Sequence, residues 1–435
     1  MRNIAEEIFT AGVRSVLPEK MFQLHVKLTD EHLEIAGDNY ELSQFNHIYV
    51  LGAGKAAALM AKEVEYVLKD KITDGHIITK YGHGAKLHYL TLTEAGHPIP
   101  DAEGVKGTRK ILEIANKAAE NDLVICLLSG GASALMADFP ETATLNDLKR
   151  ANELLVTSGA NIHEINTVRK HLSNVKGGRL AKAIYPATTI SLIISDVIGD
   201  KLDVIASGPT VGDSSTFADA LSVVDQYALP SSLPASLLTH LQKGAQGTIA
   251  ETPKPDDPIF EKVRNYIIAS NRVALENAAT KAKELGFKTH IATDCLQEDV
   301  LEVADFIAQT IDKKKNRKEP VCLLFGGEPT VKVSGSGLGG RNQHLALLLA
   351  PKVTPTKNIT ILCAGTDGTD GPTNAAGAVV DNKTMRLAKE KEIDVRPYIE
   401  NFNSYHFFAQ IGGQIITGNT GTNVMDMVVV LINPA

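Results

Sequence analysis

The sequence predicts an α/β protein with a parallel, doubly wound sheet, divided into two α/β domains. Three observations predict this class. Short, continuously apolar runs alternate with helix-length segments, as in sheets that helices cover on both faces. The chain has 435 residues, which at about 150 residues per domain corresponds to roughly two to three domains. A segment rich in glycine and proline interrupts the pattern after the middle of the chain.

In a strand with one solvent-exposed face, polar and apolar residues alternate. The predicted strands are continuous apolar runs instead, so we expect both of their faces to be buried. Segments 55–69 and 104–120 are long enough to form helices between them. The pattern of residues 1–16 predicts an amphipathic helix at the start of the chain. The strands are predicted at 47–51, 76–79, 123–128, 190–194, 288–291, 322–325 and 359–363.

The predicted domain boundary lies at 243–258. This segment contains two glycines and three prolines, which disfavour both helix and strand. A new helical pattern begins at Phe260. We therefore expect one α/β domain over 1–245 and a second α/β domain over 255–435.

Composition excludes several classes of protein. Hydrophobic residues make up 43 % and charged residues 22 % of the chain, which is typical of globular proteins and excludes a disordered chain, a collagen and a coiled coil. The net charge of −7 makes nucleic acid a poor partner. An anionic ligand must therefore be attracted by local positive charge.

The sequence favours a soluble protein of the cytoplasm. Three of its four cysteines lie in apolar runs and none has CxxC spacing, which is typical of free thiols in a reducing compartment. The N-terminus carries Glu6 and Glu7 and lacks the apolar core of a signal peptide. No run approaches the roughly 18 apolar residues of a membrane span. We expect no membrane partner, and either a monomer or a homodimer.

Small or acidic residues follow the predicted strands, and we expect the chemistry there. In open α/β sheets the ligand binds outside the carboxyl ends of the strands. Loops of this kind follow Leu51, Leu128, Ile194, Phe325 and Cys363. Because these loops occur in both predicted domains, they suggest an active site in a cleft between the domains, lined by glycine amides, a lysine and carboxylates.

The first loop formally fits the dinucleotide fingerprint G-x-G-x-x-G/A through Gly52 and Gly54. Glycines let the backbone approach a phosphate, and the helix N-terminus favours negative charge. An NAD site also needs an acidic residue near the end of the second strand, but that strand ends in Thr79-Lys80-Tyr81-Gly82, with no acid. Lys55 is suited to bind a phosphate. A tight turn with an exposed lysine is an equally weighted alternative.

The loop 129–133 is a second candidate anion site. Ser129, Gly130 and Gly131 offer consecutive amides of the kind that form anion-binding nests, and Ser133 can cap the following helix. Turn formation and capping alone explain these residues equally well, so both interpretations stay open.

Segment 166–181 carries four cations and a Gly-Gly pair. Arg169 and Lys176 are seven residues apart, which places them on one side of a helix, where they could bind a carboxylate or a phosphate. A solvated helix face is the usual alternative.

A glycine-rich segment, 335–340, leads into Arg341 and Asn342. Glycines cost backbone entropy, so their accumulation around Gly337 and Gly340 indicates a ligand that needs room beside the backbone. Arg341 could grip a phosphate or a carboxylate with two parallel hydrogen bonds. A flexible hairpin tip is the alternative.

Carboxylates after the predicted strands are candidate magnesium ligands. Mg²⁺ takes one or two carboxylates together with phosphate oxygens. Asp367 and Asp370 lie three residues apart, and Asp196 and Glu328 each follow another strand. An EF-hand is excluded because its glutamate at loop position 12 is missing. Two Asp-Gly turns are the alternative explanation for Asp367 and Asp370.

Other catalytic signatures are absent from the sequence. It contains no P-loop, no kinase HRD and DFG set, no GxSxG elbow and no HExxH helix. His97 lies between prolines and is either a loop ligand or a structural residue.

Seven strings in order resemble the glycerate 2-kinase family, which carries a C-terminal domain labelled MOFRL. The resemblance covers nearly the whole chain. The strings are LGAGKAA at 51–57, AGHPIPD at 95–101, LLSGGASALM at 127–136, NTVRKHLSNVKGGRLA at 166–181, SDVIGDKLDVIASGPT at 195–210, FGGEPTVKVSGSGLGGRNQ at 325–343 and GTDGTDGPTNAAGA at 365–378.

The resemblance implies a Rossmann-like N-terminal domain, a second α/β domain of different topology with a mixed sheet, and an active site between them. It implies transfer of the γ-phosphoryl group of ATP to D-glycerate with Mg²⁺, most often giving 2-phosphoglycerate. Lys55 and Arg341 match the basic residues suspected of catalysis in that family. We expect Asp196, Glu328 and Asp367 to bind magnesium or orient the attacking hydroxyl. Asn419 stands where the family pattern leads us to expect proline.

Two other functions fit parts of the sequence. The fingerprint after the first strand would suit a hydroxypyruvate reductase that uses NAD(P)H. A non-catalytic sensor of sugar acids or nucleotides is the third alternative. Oxidation of NADH by hydroxypyruvate, glycerate-dependent release of ADP, and binding without turnover distinguish the three.

Overall fold

The computed structural model describes residues 1–314, 318–353 and 358–434. The chain forms two compact units, which we name by their residues. Unit I is Met21–Ile268, and unit II combines Met1–Lys20 with Ala269–Ala435.

The elements of both units are numbered along the chain. The strands are β1 Val26–Leu28, β2 His32–Ile35, β3 Asp38–Glu41, β4 His47–Ala53, β5 Asp74–Lys80, β6 Thr91–Ala95, β7 Asp122–Leu128, β8 Thr188–Ile194, β9 Val263–Ala269, β10 Lys288–Leu296, β11 Val321–Gly327, β12 Ile359–Gly365, β13 Gly377–Asp381, β14 Gln414–Ile415 and β15 Asp426–Ile432. The α-helices are α1 Arg2–Ser15, α2 Pro18–His25, α3 Ala57–Leu68, α4 Ala102–Ala115, α5 Ala132–Leu135, α6 Leu145–Thr157, α7 Ile162–His171, α8 Arg179–Ile184, α9 Phe217–Gln226, α10 Ala235–Ala245, α11 Asn271–Glu284, α12 Val300–Asp312, α13 Arg341–Val353, α14 Thr384–Glu390, α15 Arg396–Glu400 and α16 Ser404–Ile411.

The compact units divide at a different place from the predicted boundary at 243–258. Strand β9 lies at the edge of the unit I sheet, so unit I continues past the linker. Helix α1 packs on α11, where a Cβ on Gly12 would lie 2.9 Å from Ala274 O. Arg2 also pairs with Asp381 at 2.9 Å. The start of the chain therefore belongs to unit II, a long-range arrangement that local composition does not predict.

Unit I contains a sheet with the strand order β6-β5-β4-β7-β8-β9. The pairs β5–β6, β4–β5, β4–β7 and β7–β8 are parallel, as predicted for a doubly wound sheet. Counted along the chain within this sheet, the order is 3-2-1-4-5-6. Sheets of that order bind ligands beside the carboxyl ends of the strands where the order reverses, here β4 and β7. A small antiparallel sheet, β1-β2-β3, also belongs to unit I.

Unit II contains the mixed sheet that the family resemblance implies. Its order is β10-β11-β15-β12-β13-β14. Strands β10 and β11 are parallel, whereas β15 is antiparallel to both of its neighbours, β11 and β12. The first residue of β15, Asp426, pairs with Gly327 and Gly365, so a carboxylate lies where β11 and β12 end.

Apolar residues fill both faces of the central strands. Every residue of β7 (DLVICLL) and of β15 (DMVVVLI) is buried, because helices cover both sides of each sheet. Among the described residues, no helix combines the length and the apolar character that crossing a bilayer requires.

Candidate active site

The turn after β4 and the loop after β7 form one interlocked structure in unit I. Gly54 has φ +137°, and a Cβ there would lie 2.1 Å from Ser129 Oγ. Ala56 N donates to Ser129 Oγ at 3.0 Å, and Lys55 N donates to Gly130 O at 2.8 Å. The glycine is thus required by the neighbouring loop, and the Ser129 hydroxyl, predicted to bind ligand, holds the Lys55 turn.

His97 lies beside this interlocked structure. A Cβ on Gly131, where φ is +85°, would lie 2.9 Å from His97 Nε2 and 3.5 Å from Lys55 Cγ. Burial lowers the pKa of His97 to about 4, with further lowering by the charges of Lys55 and Lys80. His97 is therefore neutral near pH 7 and can donate one hydrogen bond and accept another.

Half-buried Ser133 is hydrogen-bonded to a chain of two buried polar residues. Its Oγ lies 2.8 Å from Ser207 Oγ, which also donates to Asn166 Oδ1 at 3.0 Å. Ala206 and Ser207 have φ of +53° and +61°, a conformation that costs free energy in residues other than glycine. The surrounding backbone holds this strained turn, since Gly177 N donates to Ser207 O at 3.0 Å.

The cations of segment 166–181 have different partners. Lys176 Nζ donates to Met136 O at 2.9 Å and lies 3.4 Å from Asp138 Oδ1. Lys176 is only 5 % exposed, and burial lowers its pKa. Its charge is therefore largely compensated within the protein, and ligand binding by Lys176 stays a prediction. Arg169 Nε instead donates to a neutral acceptor, Asn152 Oδ1, at 2.9 Å.

A cavity of about 780 Å³ brings several of the predicted residues together in unit I. Gly131, Ser133, Arg169 and Lys176 line it, and so does His97. The loop after β6 and helix α6 contribute aliphatic residues to the rest of the lining, and α6 also contributes charged residues, among them Arg150 and Glu153.

Asp196 and the glycines of the β4 turn are placed by the same sheet. Asp196 follows β8 and is half-buried. Because β4, β7 and β8 are parallel neighbours, Asp196 lies at the edge of the sheet that also carries the Lys55 turn. It is not among the residues that line the cavity. Gly52 lies within β4, and a Cβ there would be 2.9 Å from Leu127 O, so the glycine serves strand packing.

Two carboxylates hold Arg341 at the start of α13 in unit II. Asp426 accepts from Nε at 2.6 Å and from Nη2 at 3.1 Å, and Glu328 lies 2.8 Å from Nη1. Asp426 is nearly inaccessible at 4 % exposure of its side chain, whereas the Glu328 side chain is 44 % exposed. Burial by itself would lower the pKa of Arg341, but Asp426 and Glu328 raise it overall. The guanidinium is therefore charged and fixed in orientation.

Asp370 accepts hydrogen bonds from the first amides of α13 in unit II. Its Oδ1 accepts from Asn342 N at 3.0 Å, and its Oδ2 accepts from Gln343 N at 2.8 Å. Burial raises the pKa of Asp370 to about 6, although these amides act to lower it. Both oxygens are therefore engaged with the helix start, and metal binding by Asp370 stays a prediction. Asn342 is buried beside it, 2 % exposed.

The glycine-rich segment 335–340 packs on the chain itself. Gly337 N donates to Asn401 O at 2.9 Å, and Leu338 N donates to Asn403 Oδ1 at 3.0 Å. A Cβ on Gly337 would lie 2.3 Å from Asn401 O, and one on Gly340 would lie 2.3 Å from Asp370 Cγ. The glycines thus permit close backbone packing, and the amides of Gly337 and Leu338 are already used. Ligand binding by Gly337 and Gly340 stays a prediction.

The predicted magnesium ligands do not form one cluster. Within the described residues, no group of three or more histidine, cysteine, aspartate or glutamate side chains could hold a metal ion. Asp367 Oδ1 accepts from Thr369 N at 3.0 Å and from Thr369 Oγ1 at 3.1 Å. Glu328 is engaged with Arg341.

Sequence reasoning missed Asp426. The signal was present, because an acidic residue directly precedes the apolar run MVVVLI at 427–432. That run predicts a buried strand, but its place between β11 and β12 depends on long-range pairing.

Two family models and several relatives of similar length match this chain. The family model described as domain of unknown function DUF4147 matches residues 4–242, and the model described as the MOFRL family matches residues 321–426. A Pyrococcus horikoshii protein named glycerate 2-kinase is 42 % identical, covering 99 % of this chain and 97 % of that protein. A solved structure of glycerate kinase from Thermotoga maritima is 39 % identical, with a TM-score of 0.86, and the match covers 99 % of both chains. An Agrobacterium vitis protein named putative hydroxypyruvate reductase is 38 % identical, covering 97 % of this chain and 95 % of that protein.

Proposed function

Because the chain belongs to the glycerate 2-kinase family, we propose that it transfers the γ-phosphoryl group of ATP to D-glycerate, giving 2-phosphoglycerate and ADP. The observation that carries this proposal is the similarity to a glycerate 2-kinase at 42 % identity over 99 % of the chain. The arrangement of charged groups in each unit supports it.

In unit I, Lys55 is proposed to bind the transferring phosphate. Phosphoryl transfer depends on positioning the reactants and on neutralising charge as it develops. Lys55 N donates a hydrogen bond to Gly130 O at 2.8 Å, which fixes the position of the backbone that carries the lysine side chain. His97 is neutral beside it and adds no charge that would compete with Lys55 for an anion. Asp196, at the same sheet edge, is proposed to orient the attacking hydroxyl.

In unit II the proposal assigns anion binding to Arg341. Its guanidinium is already oriented by Asp426 through two hydrogen bonds of 2.6 and 3.1 Å. A pre-oriented guanidinium loses little conformational entropy when it binds the transferring phosphate or the glycerate carboxylate. Glu328, half-exposed at 44 %, can give way to such an anion more easily than the buried Asp426.

The carboxylates of this chain fit a magnesium ion that arrives with the nucleotide. Such an ion keeps several waters and needs only one or two protein carboxylates, so the lack of a three-residue cluster in the described chain is compatible with it. We propose that Glu328 and Asp367 hold it. When bound, magnesium neutralises charge on the nucleotide phosphates.

The lysine at the end of β5 argues against the reductase alternative. A dinucleotide-binding sheet places an acidic residue near the end of its second strand to bind the ribose hydroxyls. Strand β5, the neighbour of β4, ends here in Lys80.

We further propose that the enzyme works in the cytoplasm, where its free thiols Cys126, Cys322 and Cys363 suit a reducing compartment.

Purified protein with MgATP and D-glycerate tests the proposal. We expect ADP release that depends on glycerate, and phosphorus NMR should show the phosphate on the 2-hydroxyl. The control replaces both substrates with NADH and hydroxypyruvate. Oxidation of NADH without glycerate-dependent ADP release would reject the kinase in favour of the reductase.

A further inference from the structure

The cavity in unit I is much larger than the acceptor requires. Its volume is about 780 Å³, within the range of about 300–1,000 Å³ that encloses drug-sized ligands. A three-carbon acid such as glycerate would fill only a small part of it. Of the two substrates in the proposed reaction, the nucleotide matches the cavity in size.

The walls of the cavity suit a flat heterocycle. Leu148, Leu155 and Pro98 contribute apolar surface. Two further lining residues, Ile99 and Val156, leave 67 % and 62 % of their surface exposed to water. Covering exposed aliphatic side chains with the face of an aromatic ring is favourable, so an aromatic base would gain free energy there.

Arg169 supplies positive charge in the same cavity. Its Nε donates to the neutral Asn152 Oδ1 at 2.9 Å. In the part of the chain that the structure describes, the ion pairs do not include Arg169, whereas Lys176 in the same lining pairs with Asp138 at 3.4 Å. Burial lowers the pKa of Arg169 but leaves it charged near pH 7, since an arginine side chain does not lose its proton in proteins. The positive charge is therefore available to an anionic group of a ligand.

The lining also reaches the predicted catalytic lysine. Gly131 lines the cavity, and a Cβ placed on it would lie 3.5 Å from Lys55 Cγ. Gly131 follows β7, which neighbours β4 at the point where the strand order reverses, the usual place for a ligand in such a sheet. A ligand in the cavity can thus pass its phosphates along Gly131 toward Lys55.

From these contacts we propose that the cavity binds the nucleoside of ATP, with the base on the aliphatic wall at Ile99 and Val156 and with Arg169 on the α- or β-phosphate. This inference rests on the proposed kinase function and adds the nucleotide site to it. It assigns Arg169 to nucleotide binding and not to the glycerate carboxylate.

Two variants of the full chain test the proposal by calorimetric titration with the magnesium complex of AMP-PNP, without glycerate. Arg169→Gln removes a charge-assisted hydrogen bond, so we expect binding to weaken about tenfold or more. Val156→Glu places a carboxylate on the exposed wall, and we expect about fivefold weaker binding. In steady-state assays the KM for ATP should rise accordingly, while the KM for glycerate stays within about twofold of the wild type.

Matched controls use residues of unit I outside the cavity lining. Lys243→Gln removes one exposed cation of α10, and Leu24→Glu changes an exposed aliphatic residue, 63 % exposed, to a carboxylate. Both should bind AMP-PNP like the wild type. Circular dichroism checks the fold, and since Val156 is exposed, its variant tests the proposal even if Arg169→Gln does not fold.

Two results would overturn the proposal. Either both cavity variants bind AMP-PNP like the wild type, or the KM for glycerate rises while the KM for ATP does not change. Failure of the proposed function is separate, since it appears as wild-type protein that releases no ADP with glycerate. If such protein still bound AMP-PNP and the cavity variants weakened that binding, the nucleotide site would stand without the kinase.

Discussion

Lys55 in unit I and Arg341 in unit II are held by different kinds of interaction. The Lys55 turn is fixed by main-chain contacts, with its N–H on Gly130 O at 2.8 Å and with Gly54 pressed against Ser129. Arg341 is fixed by charge, through Asp426 at 2.6 Å and Glu328 at 2.8 Å. Substitutions that create steric clashes should therefore disturb the position of Lys55, and substitutions that remove charge should disturb the position of Arg341.

This difference also separates the two glycine-rich segments. In the loop after β7, Gly131 borders the cavity, next to His97. In segment 335–340, Gly337 and Gly340 are packed against Asn401 and Asp370. Glycine at a close approach can thus make room for a ligand or for the protein's own backbone, and only the folded structure distinguishes the two.

The largest expected effect is the loss of Lys55 itself. We expect Lys55→Ala to lower kcat/KM by about 10³-fold or more, because charge neutralisation contributes most of the acceleration in phosphoryl transfer. Steady-state kinetics measure the loss, and a melting curve shows whether the fold persists. Lys117→Ala removes an exposed lysine of the same unit and should keep full activity. Near-normal turnover of Lys55→Ala would remove this residue from the mechanism.

Asp426→Asn tests whether charge positions Arg341. An amide cannot replace both charge-assisted hydrogen bonds, so we expect kcat to fall about 10- to 100-fold, with a smaller change in the KM for ATP. Asp426→Glu keeps the charge and should restore part of the activity.

Glu328→Gln is the comparison variant for Asp426→Asn. Because Glu328 is half-exposed, its ion pair with Arg341 contributes less. At saturating Mg²⁺, which offsets the loss of Glu328 as a proposed magnesium ligand, we expect the smaller loss of kcat. Equal losses in both variants would contradict a special positioning role for Asp426.

Gly54→Ala tests whether sterics position Lys55. A Cβ at Gly54 would lie 2.5 Å from Ser129 O, a backbone atom that cannot move aside. At Gly82 φ is also positive, +76°, but nothing lies within 4 Å of the added Cβ. We therefore expect Gly54→Ala to lower the free energy of unfolding by about 2 kcal/mol more than Gly82→Ala, which carries only the backbone cost of about 1–2 kcal/mol. Chemical denaturation measures both, and equal costs would show that the loop yields.

Much of the fold could be predicted from the sequence because buried parallel strands are local signals. Runs such as 123–128 are apolar on both faces, and the strand β7 is found there. The central position of β15 and the attachment of α1 to unit II depend on contacts between distant parts of the chain. A short segment of sequence does not show which distant segment it will pair with.

The candidate site shows the same limit more sharply. The sequence singled out Arg169 and Ser133, and the structure lines one cavity with both. The sequence could not show that Lys176 pairs with Asp138 or that Asp370 caps a helix. Residue type indicates what a side chain can bind, whereas the partner it has already found decides whether that capacity remains.

The dependence of stability on pH gives a last and smaller comparison between the units, because burial acts in opposite directions on a base and an acid. Burial lowers the pKa of His97 from 6.5 to about 4, so between these values the unfolded chain binds a proton that the folded chain does not. The contribution of His97 to stability therefore rises with pH in this window. Burial raises the pKa of Asp370 from 3.8 to about 6, so the folded chain keeps the proton there, and the contribution of Asp370 falls as pH rises.

Melting temperatures of the wild type, His97→Asn and Asp370→Asn between pH 4 and 7 test these opposite signs. As pH rises, the wild type should gain melting temperature relative to His97→Asn and lose it relative to Asp370→Asn. The pKa differences correspond to up to roughly 3 kcal/mol each, or up to about 6–12 °C in a unit of this size. Parallel curves for both variants would mean that neither group is buried as described. A trend of the same sign in both would contradict the assignment of a neutral histidine to unit I and a buried carboxylate with a raised pKa to unit II.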